Sequence, residues 1–283
     1  MTTTQSGTTG EWGGDVWGTI NDFPSEVTEQ FIETLEYART EPGFLEARRS
    51  LLQDLALAPG RTVLEGGSGT GAALPDVLDV LGREGHMLGV DPTVAFVEAA
   101  RRRAAALNAP NARYEVGDIR ALPAEAGRFD AAFCDKILIH AGPGPVAVGE
   151  LARVVRPGGK VGAVEWTVAP AISTNHPELV ARLNGFLPQS AYDFAACANL
   201  ARYFHAAGLT DVRRRVFTGR ADSLDGHPFW RSLLQAFVPG AVGMGLLSEA
   251  EAQTLLGDWD ELSRRGEFSL VTVIQTAVGT KPA

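Results

Sequence analysis

Between residues 61 and 166, short apolar runs alternate with helix-patterned segments, and this alternation restricts the chain more than any other feature. RTVLEG (61–66), HMLGVD (86–91), ARYEVGD (112–118), FDAAFCD (129–135) and KVGAVEW (160–166) read as strands. ALPDVLDVL (73–81), VAFVEAARRRAAAL (94–107) and VAVGELARVV (146–155) read as helices, with Pro75 tolerable in a first turn. Arg156-Pro157-Gly158-Gly159 supplies the stop after the last of them. Strands joined by helical crossovers must run parallel, and the crossovers cover both faces of the sheet. The expected class is α/β with a Rossmann-like sheet.

The flanks follow other rules. Residues 24–57 carry helical periodicity broken at Glu41-Pro42-Gly43, which predicts two helices ahead of the core. After residue 170, residues 176–207 predict two more helices and DVRRRVFTG (211–219) a strand. Residues 229–265 are mainly helical, with Ser248 and Glu251 spaced as a capping box. EFSLVTVIQTAVG (267–279) is a long β-branched strand. The expected organisation is a flexible segment over 1–22, rich in Thr and Gly at its start, and a single domain over 23–283. Within it lie N-terminal helices (24–57), a core (58–170) and lid helices (174–207 and 226–265).

Composition narrows the function classes. A hydrophobic content of 45% over 283 residues is enough for a full core. The net charge of -9 argues against a nucleic-acid partner, and the runs Arg101-Arg102-Arg103 and Arg213-Arg214-Arg215 read as solvated faces. Cys134 and Cys197 are too few for a disulfide framework and lack metal-ligand spacing, so no metal is expected. The opening MTTTQSGTTGEWGG does not read as a signal peptide, and no apolar stretch is long enough for a bilayer. A cytoplasmic protein with no membrane partner is expected; monomer and homodimer stay open.

The segment joining the first strand to the first helix, Glu65-Gly66-Gly67-Ser68-Gly69-Thr70-Gly71, carries the functional signal. Glycines there let a ligand approach backbone closely, at the strand ends where parallel sheets bind ligands. Gly67 to Ala72 also fits G-x-G-x-x-A, and Asp91 ends the second strand where a ribose-binding acid belongs. These residues establish a nucleoside-type cofactor and leave open a pyridine dinucleotide. Glu65 tips the balance. A carboxylate ~4 Å from a diphosphate opposes it by roughly 1 to 4 kcal/mol, depending on dielectric. An ammonium or a sulfonium favours the same carboxylate.

The run E-G-G-S-G-T-G resembles the first motif of class I S-adenosylmethionine-dependent methyltransferases. G-V-D-P-T (89–93), G-D-I (117–119), D-K-I-L-I-H (135–140) and L-A-R-V-V-R-P-G-G-K (151–160) resemble the motifs that follow, in the same order, and the C-terminal R-G-E-F-S-L-V-T-V-I-Q-T-A-V-G-T-K-P resembles the final antiparallel strand. The likeness is greatest to the ubiquinone-biosynthesis-type subgroup that acts on small molecules. It implies a seven-stranded sheet of order 3-2-1-4-5-7-6 with strand 7 antiparallel. It implies S-adenosylmethionine as cofactor, held by Glu65, Gly66, Gly67, Gly69, Gly71, Asp91, Pro92, Asp118, Ile119 and Asp135. Asp91 would take the ribose hydroxyls and Asp118 the adenine amino group.

Methyl transfer from a sulfonium needs alignment, exclusion of water and, for a hydroxyl acceptor, a base. His140, after the fourth strand, is the candidate base, since an ordinary histidine accepts a proton near neutrality; the alternative is a residue that caps its loop. The resemblance to sugar and natural-product O-methyltransferases implies an acid paired with this histidine, and Glu165, at the end of the fifth strand, matches it, able to orient His140 or hold the acceptor. Of Asp135 and Lys136, one touches the cofactor or the substrate, or the two form a surface pair. The other histidines, His86, His176, His205 and His227, are expected in solvent. Trp12, Trp17, Phe23, Phe186, Tyr192, Phe194, Phe229, Trp230 and Phe237 supply an aromatic lid suited to a bulky or planar acceptor. The expected function is O-methylation of a small natural product, with N- or C-methylation open. An NAD(P)-dependent oxidoreductase, or a protein of this fold that binds the cofactor without transferring methyl, is the alternative.

Overall fold

The computed structural model describes residues 16–186 and 192–283. Five parallel strands form the centre: β1 (Thr62–Gly66), β2 (His86–Asp91), β3 (Ala112–Val116), β4 (Phe129–Asp135) and β5 (Val155–Trp166). Their order is β3-β2-β1-β4-β5, with β8 (Leu270–Thr280) antiparallel to β5 and β7 (Thr210–Ala221) antiparallel to β8. This is the order the resemblance implies. An eighth strand, β6 (Ala171–Ile172), is added because the chain after β5 keeps following β8: Thr167 donates to Val273 O at 2.8 Å and Ala171 pairs Val271. Val271 also pairs Arg220 of β7, so β6 lies on the β5 side.

Helices α3 (Leu74–Leu81), α4 (Val94–Ala106) and α5 (Gly144–Val154) make the crossovers. α2 (Pro42–Asp54) lies on the sheet through Phe44, Ala47, Leu51 and Leu52, all buried, with Leu51 and Leu55 against Gly162 of β5. α1 (Ser25–Thr40) and α8 (Pro228–Gly243) cross above the strand ends and are joined by Thr34 Oγ1 and Ser232 Oγ, 2.8 Å apart. α6 (Pro177–Phe186), α7 (Ala196–Ala206) and α9 (Glu249–Arg265) complete the annex, and α9 starts at the expected Ser248–Glu251 capping box.

One expectation changes. Residues 16–22, placed within the flexible segment, form a 3-10 helix, Val16–Asp22. Ile20 is buried, and the Asn21 side chain donates to Pro92 O at 2.9 Å and accepts Val94 N–H at 3.1 Å. A tertiary anchor on the β2–α4 turn therefore fixes a stretch with weak propensity of its own.

Candidate active site

The carboxyl ends of β1, β2 and β4, roofed by α1 and α8, enclose a cavity of about 360 Å³. The glycine loop forms one wall. Gly67 and Ser68 both donate to Val90 O, at 2.7 and 3.0 Å, which ties the loop to β2. Gly67 has φ +71, and a Cβ there would stand 2.4 Å from Ile137. Gly69 has φ +51 and would meet only Leu35, at 3.4 Å, so its backbone lies open to the cavity. Gly66 packs on Ile119 and Gly71 on Tyr114, and neither Gly66 nor Gly71 lines the cavity.

Asp91 closes the loop from below. Its Oδ2 accepts Gly69 N–H at 2.8 Å and its Oδ1 accepts Thr93 N–H at 2.9 Å. Burial pushes its carboxyl up to about 6, with these two N–H groups pulling the other way. Pro92 lines the cavity beside it.

The floor holds two acids and two cations. Glu65 and Asp135 end β1 and β4; Arg48 reaches in from α2; Lys136 follows β4 with φ +62, in the left-handed region. Arg48 Nε donates to Asp135 Oδ2 at 2.7 Å and Lys136 Nζ donates to Asp135 Oδ1 at 2.6 Å. Lys136 Nζ also lies 4.8 Å from the Phe44 ring centroid. The surface-pair alternative for Asp135 and Lys136 is therefore corrected: both line the cavity and both are inside. Burial raises Asp135, but Lys136 and Arg48 outweigh it and hold the carboxyl below its ordinary range. Burial and the Asp135 charge push Glu65 up to about 8, against Arg48 and Lys136. Glu65 Oε2 and Ser68 Oγ are buried without a hydrogen-bond partner. A buried polar atom of that kind calls for a ligand or a water.

Asp118 and Ile119 reach the cavity at the β3 end, where the Asp118 carboxylate pairs with Arg120 at 2.6 Å. His140 lines the cavity, and its ring lies 5.5 Å from that of Trp17. Glu165 does not line it. Side chains alternate along β5, and Trp166 takes the cavity side. Glu165 points beneath the segment that carries His140 and accepts Leu138 N–H at 2.6 Å. Its burial pushes its carboxyl up to about 8.

Among the lid aromatics, Trp17, Phe229 and Phe237 line the cavity, together with Phe31, Phe96 and Trp166. Trp230 is instead buried against Phe44 and Trp166, and Phe194 packs on the core. Phe23 stacks on Phe31, and Tyr192 is exposed. Trp12 and the Phe186 side chain lie outside the described residues.

Sequence reading missed Arg48 and Ser68. Arg48 had a signal: it continues the buried stripe Phe44–Arg48–Leu52 of α2, and a charge on an apolar stripe needs a buried partner.

Residues 63–159 match the family described as Methyltransferase domain. Over those residues the chain is similar to class I S-adenosylmethionine-dependent methyltransferases. A demethylmenaquinone methyltransferase from Beutenbergia cavernae is 28% identical to this chain over 194 residues, 61% of this chain and 75% of its own. An uncharacterized 37.1 kDa protein in transposon TN4556 of Streptomyces fradiae is 31% identical over 159 residues, 56% of this chain. The chain spans 44% of that protein's length. A solved structure of Haemonchus contortus phosphoethanolamine N-methyltransferase 2 with S-adenosyl-L-methionine superposes with a TM-score of 0.59 at 15% identity, over 93% of this chain and 60% of that one. These likenesses support S-adenosylmethionine as the cofactor. The orphaned Glu65 Oε2 and Ser68 Oγ, and the open backbone at Gly69, fit that molecule. Among the described residues no helix is long and apolar enough to cross a membrane.

Proposed function

We propose that the protein methylates an oxygen of a small, bulky or planar organic molecule, a secondary metabolite, in the cytoplasm. The observation that carries this reading is the continuity of the cavity. The cofactor loop, His140 and six aromatic side chains line one enclosure. S-adenosylmethionine supplies an activated methyl carbon on a sulfonium.

The chain's residues do the rest. Glu65, Gly67, Gly69, Asp91, Pro92, Asp118, Ile119 and Asp135 hold the cofactor at the strand ends. Trp17, Phe31, Phe96, Trp166, Phe229 and Phe237 exclude water and align a flat acceptor. His140 takes the acceptor's hydroxyl proton. Glu165 acts through the backbone of Leu138, holding the His140 segment in place. The relative named for demethylmenaquinone is consistent with a flat, apolar acceptor of this kind.

The test is release of S-adenosylhomocysteine from S-adenosylmethionine with a panel of hydroxyarenes, with products identified by mass and NMR. O-methyl ethers support the reading. Products methylated on nitrogen or carbon overturn the choice of oxygen. Cofactor binding without any release favours the non-transferring alternative.

A further inference from the structure

The roof of the cavity, opposite the strand ends, is largely apolar: α1 and α8 bring Phe31, Leu35, Phe229, Leu233 and Phe237 to it. Among the described residues that line it from these two helices, three are polar: Thr34, Arg39 and Ser232. Arg39 is held by Glu36, with Nε 3.3 Å from Oε2. Thr34 and Ser232 hold one another across the roof, with their hydroxyl oxygens 2.8 Å apart.

A second hydrogen bond fixes the direction of the first. Thr34 Oγ1 lies 2.9 Å from Gln30 O, one turn back on α1. A carbonyl has no proton to give, so the Thr34 hydroxyl donates there. A hydroxyl carries one hydrogen, and Thr34 must therefore accept from Ser232. With its hydrogen committed to Thr34, Ser232 Oγ keeps only acceptor capacity, and no donor among the described residues takes it up. Ser232 is half-buried on the cavity side of α8, between Phe229 three residues before it and Ala236 four residues after it, both of which line the cavity. Once a bound molecule displaces water, an acceptor left open on such a wall costs stability unless the molecule donates to it. An O–H can do so; a C–H or an ether oxygen cannot.

We propose that Ser232, oriented by Thr34, is a specificity-determining residue that accepts a hydrogen bond from a second hydroxyl of the acceptor, remote from the oxygen methylated beside His140. The substrate class narrows from hydroxyarenes to arenes with two polar ends, one that receives the methyl group and one that donates to the roof. The inference rests on the cavity being a hydroxyarene site. In the competing account the Thr34–Ser232 pair only ties α1 to α8 and never meets the acceptor.

The experiment measures kcat and KM of the full chain, by S-adenosylhomocysteine release, on isomeric benzenediols and biphenyldiols, on their monohydroxy parents and on their monomethyl ethers. For the best diol, the wild type should show kcat/KM about fivefold or more above both counterparts, with the difference carried by KM. Ser232→Ala should shrink that preference to within about twofold. Thr34→Val removes the partner of the Ser232 hydrogen, which can then donate to an ether oxygen. In that variant the monomethyl ether should come within about twofold of the diol while the monohydroxy parent stays behind. A wild type that prefers no diol over its counterparts would overturn the inference, as would a Ser232→Ala variant that keeps the preference. Should Ser232→Ala fail to fold, Thr34→Val decides: an ether that rises toward the diol supports the inference, and an ether that stays level with the monohydroxy parent overturns it. Turnover without preference removes this inference alone; no S-adenosylhomocysteine from any of these arenes removes the hydroxyarene reading and this inference with it.

Discussion

Asp91 accepts the backbone N–H of Gly69 at 2.8 Å, so the acid that ends the second strand holds the loop that leaves the first. Its side chain thus shapes the cofactor wall and faces the cavity at the same time. Asp91→Ala should weaken S-adenosylhomocysteine binding by at least about tenfold, since a charge-assisted hydrogen bond and a ligand contact are lost together. Titration calorimetry checks it. Glu65→Ala should show a loss of the same order. Unchanged affinity in both variants would remove the cofactor from this end of the sheet.

Glu65 carries a pH signature. Its carboxyl stands at about 8 in the folded chain against an ordinary 4.5, so between those values the folded state keeps a proton that the unfolded chain has released. Stability from this group is complete below about 4.5 and is lost as pH rises through about 8. A cationic ligand group favours the ionised form, so cofactor binding near neutral pH should expel a proton. Binding heats measured in buffers of different ionisation enthalpy should diverge, and Glu65→Gln should bring them closer together. Identical heats in all buffers for the wild type would count against it.

His140 and Glu165 should separate in kinetics. His140→Ala removes the proposed base and should lower kcat by about 10² or more with little change in cofactor affinity. Glu165→Gln keeps an acceptor oxygen for Leu138 N–H and should preserve most activity, whereas Glu165→Leu should lower kcat by loosening the segment that carries His140. Equal losses in Glu165→Gln and Glu165→Leu would contradict a role through the backbone.

The strand–helix alternation and the late antiparallel strand were legible because periodicity and β-branched content are local signals. Glu65, Asp91 and Asp118 were legible because each falls at or just beyond a strand end. Glu165 was expected beside the acceptor, but side chains alternate along β5, and Trp166, at the strand end read from the sequence, occupies the cavity side. The inward turn of Lys136 depends on a positive φ that no local pattern announces. Residues 16–22 are held by Asn21 on a turn more than seventy residues away, a contact invisible to propensity.

The account stands on the acidic end of the first strand accepting a cationic amino-acid tail in place of a diphosphate. The most direct measurement is calorimetric titration of the full chain with S-adenosylmethionine and, separately, with NAD and NADP. The account predicts saturable heat with S-adenosylmethionine and none with either dinucleotide. Saturable heat with a dinucleotide and none with S-adenosylmethionine would contradict it.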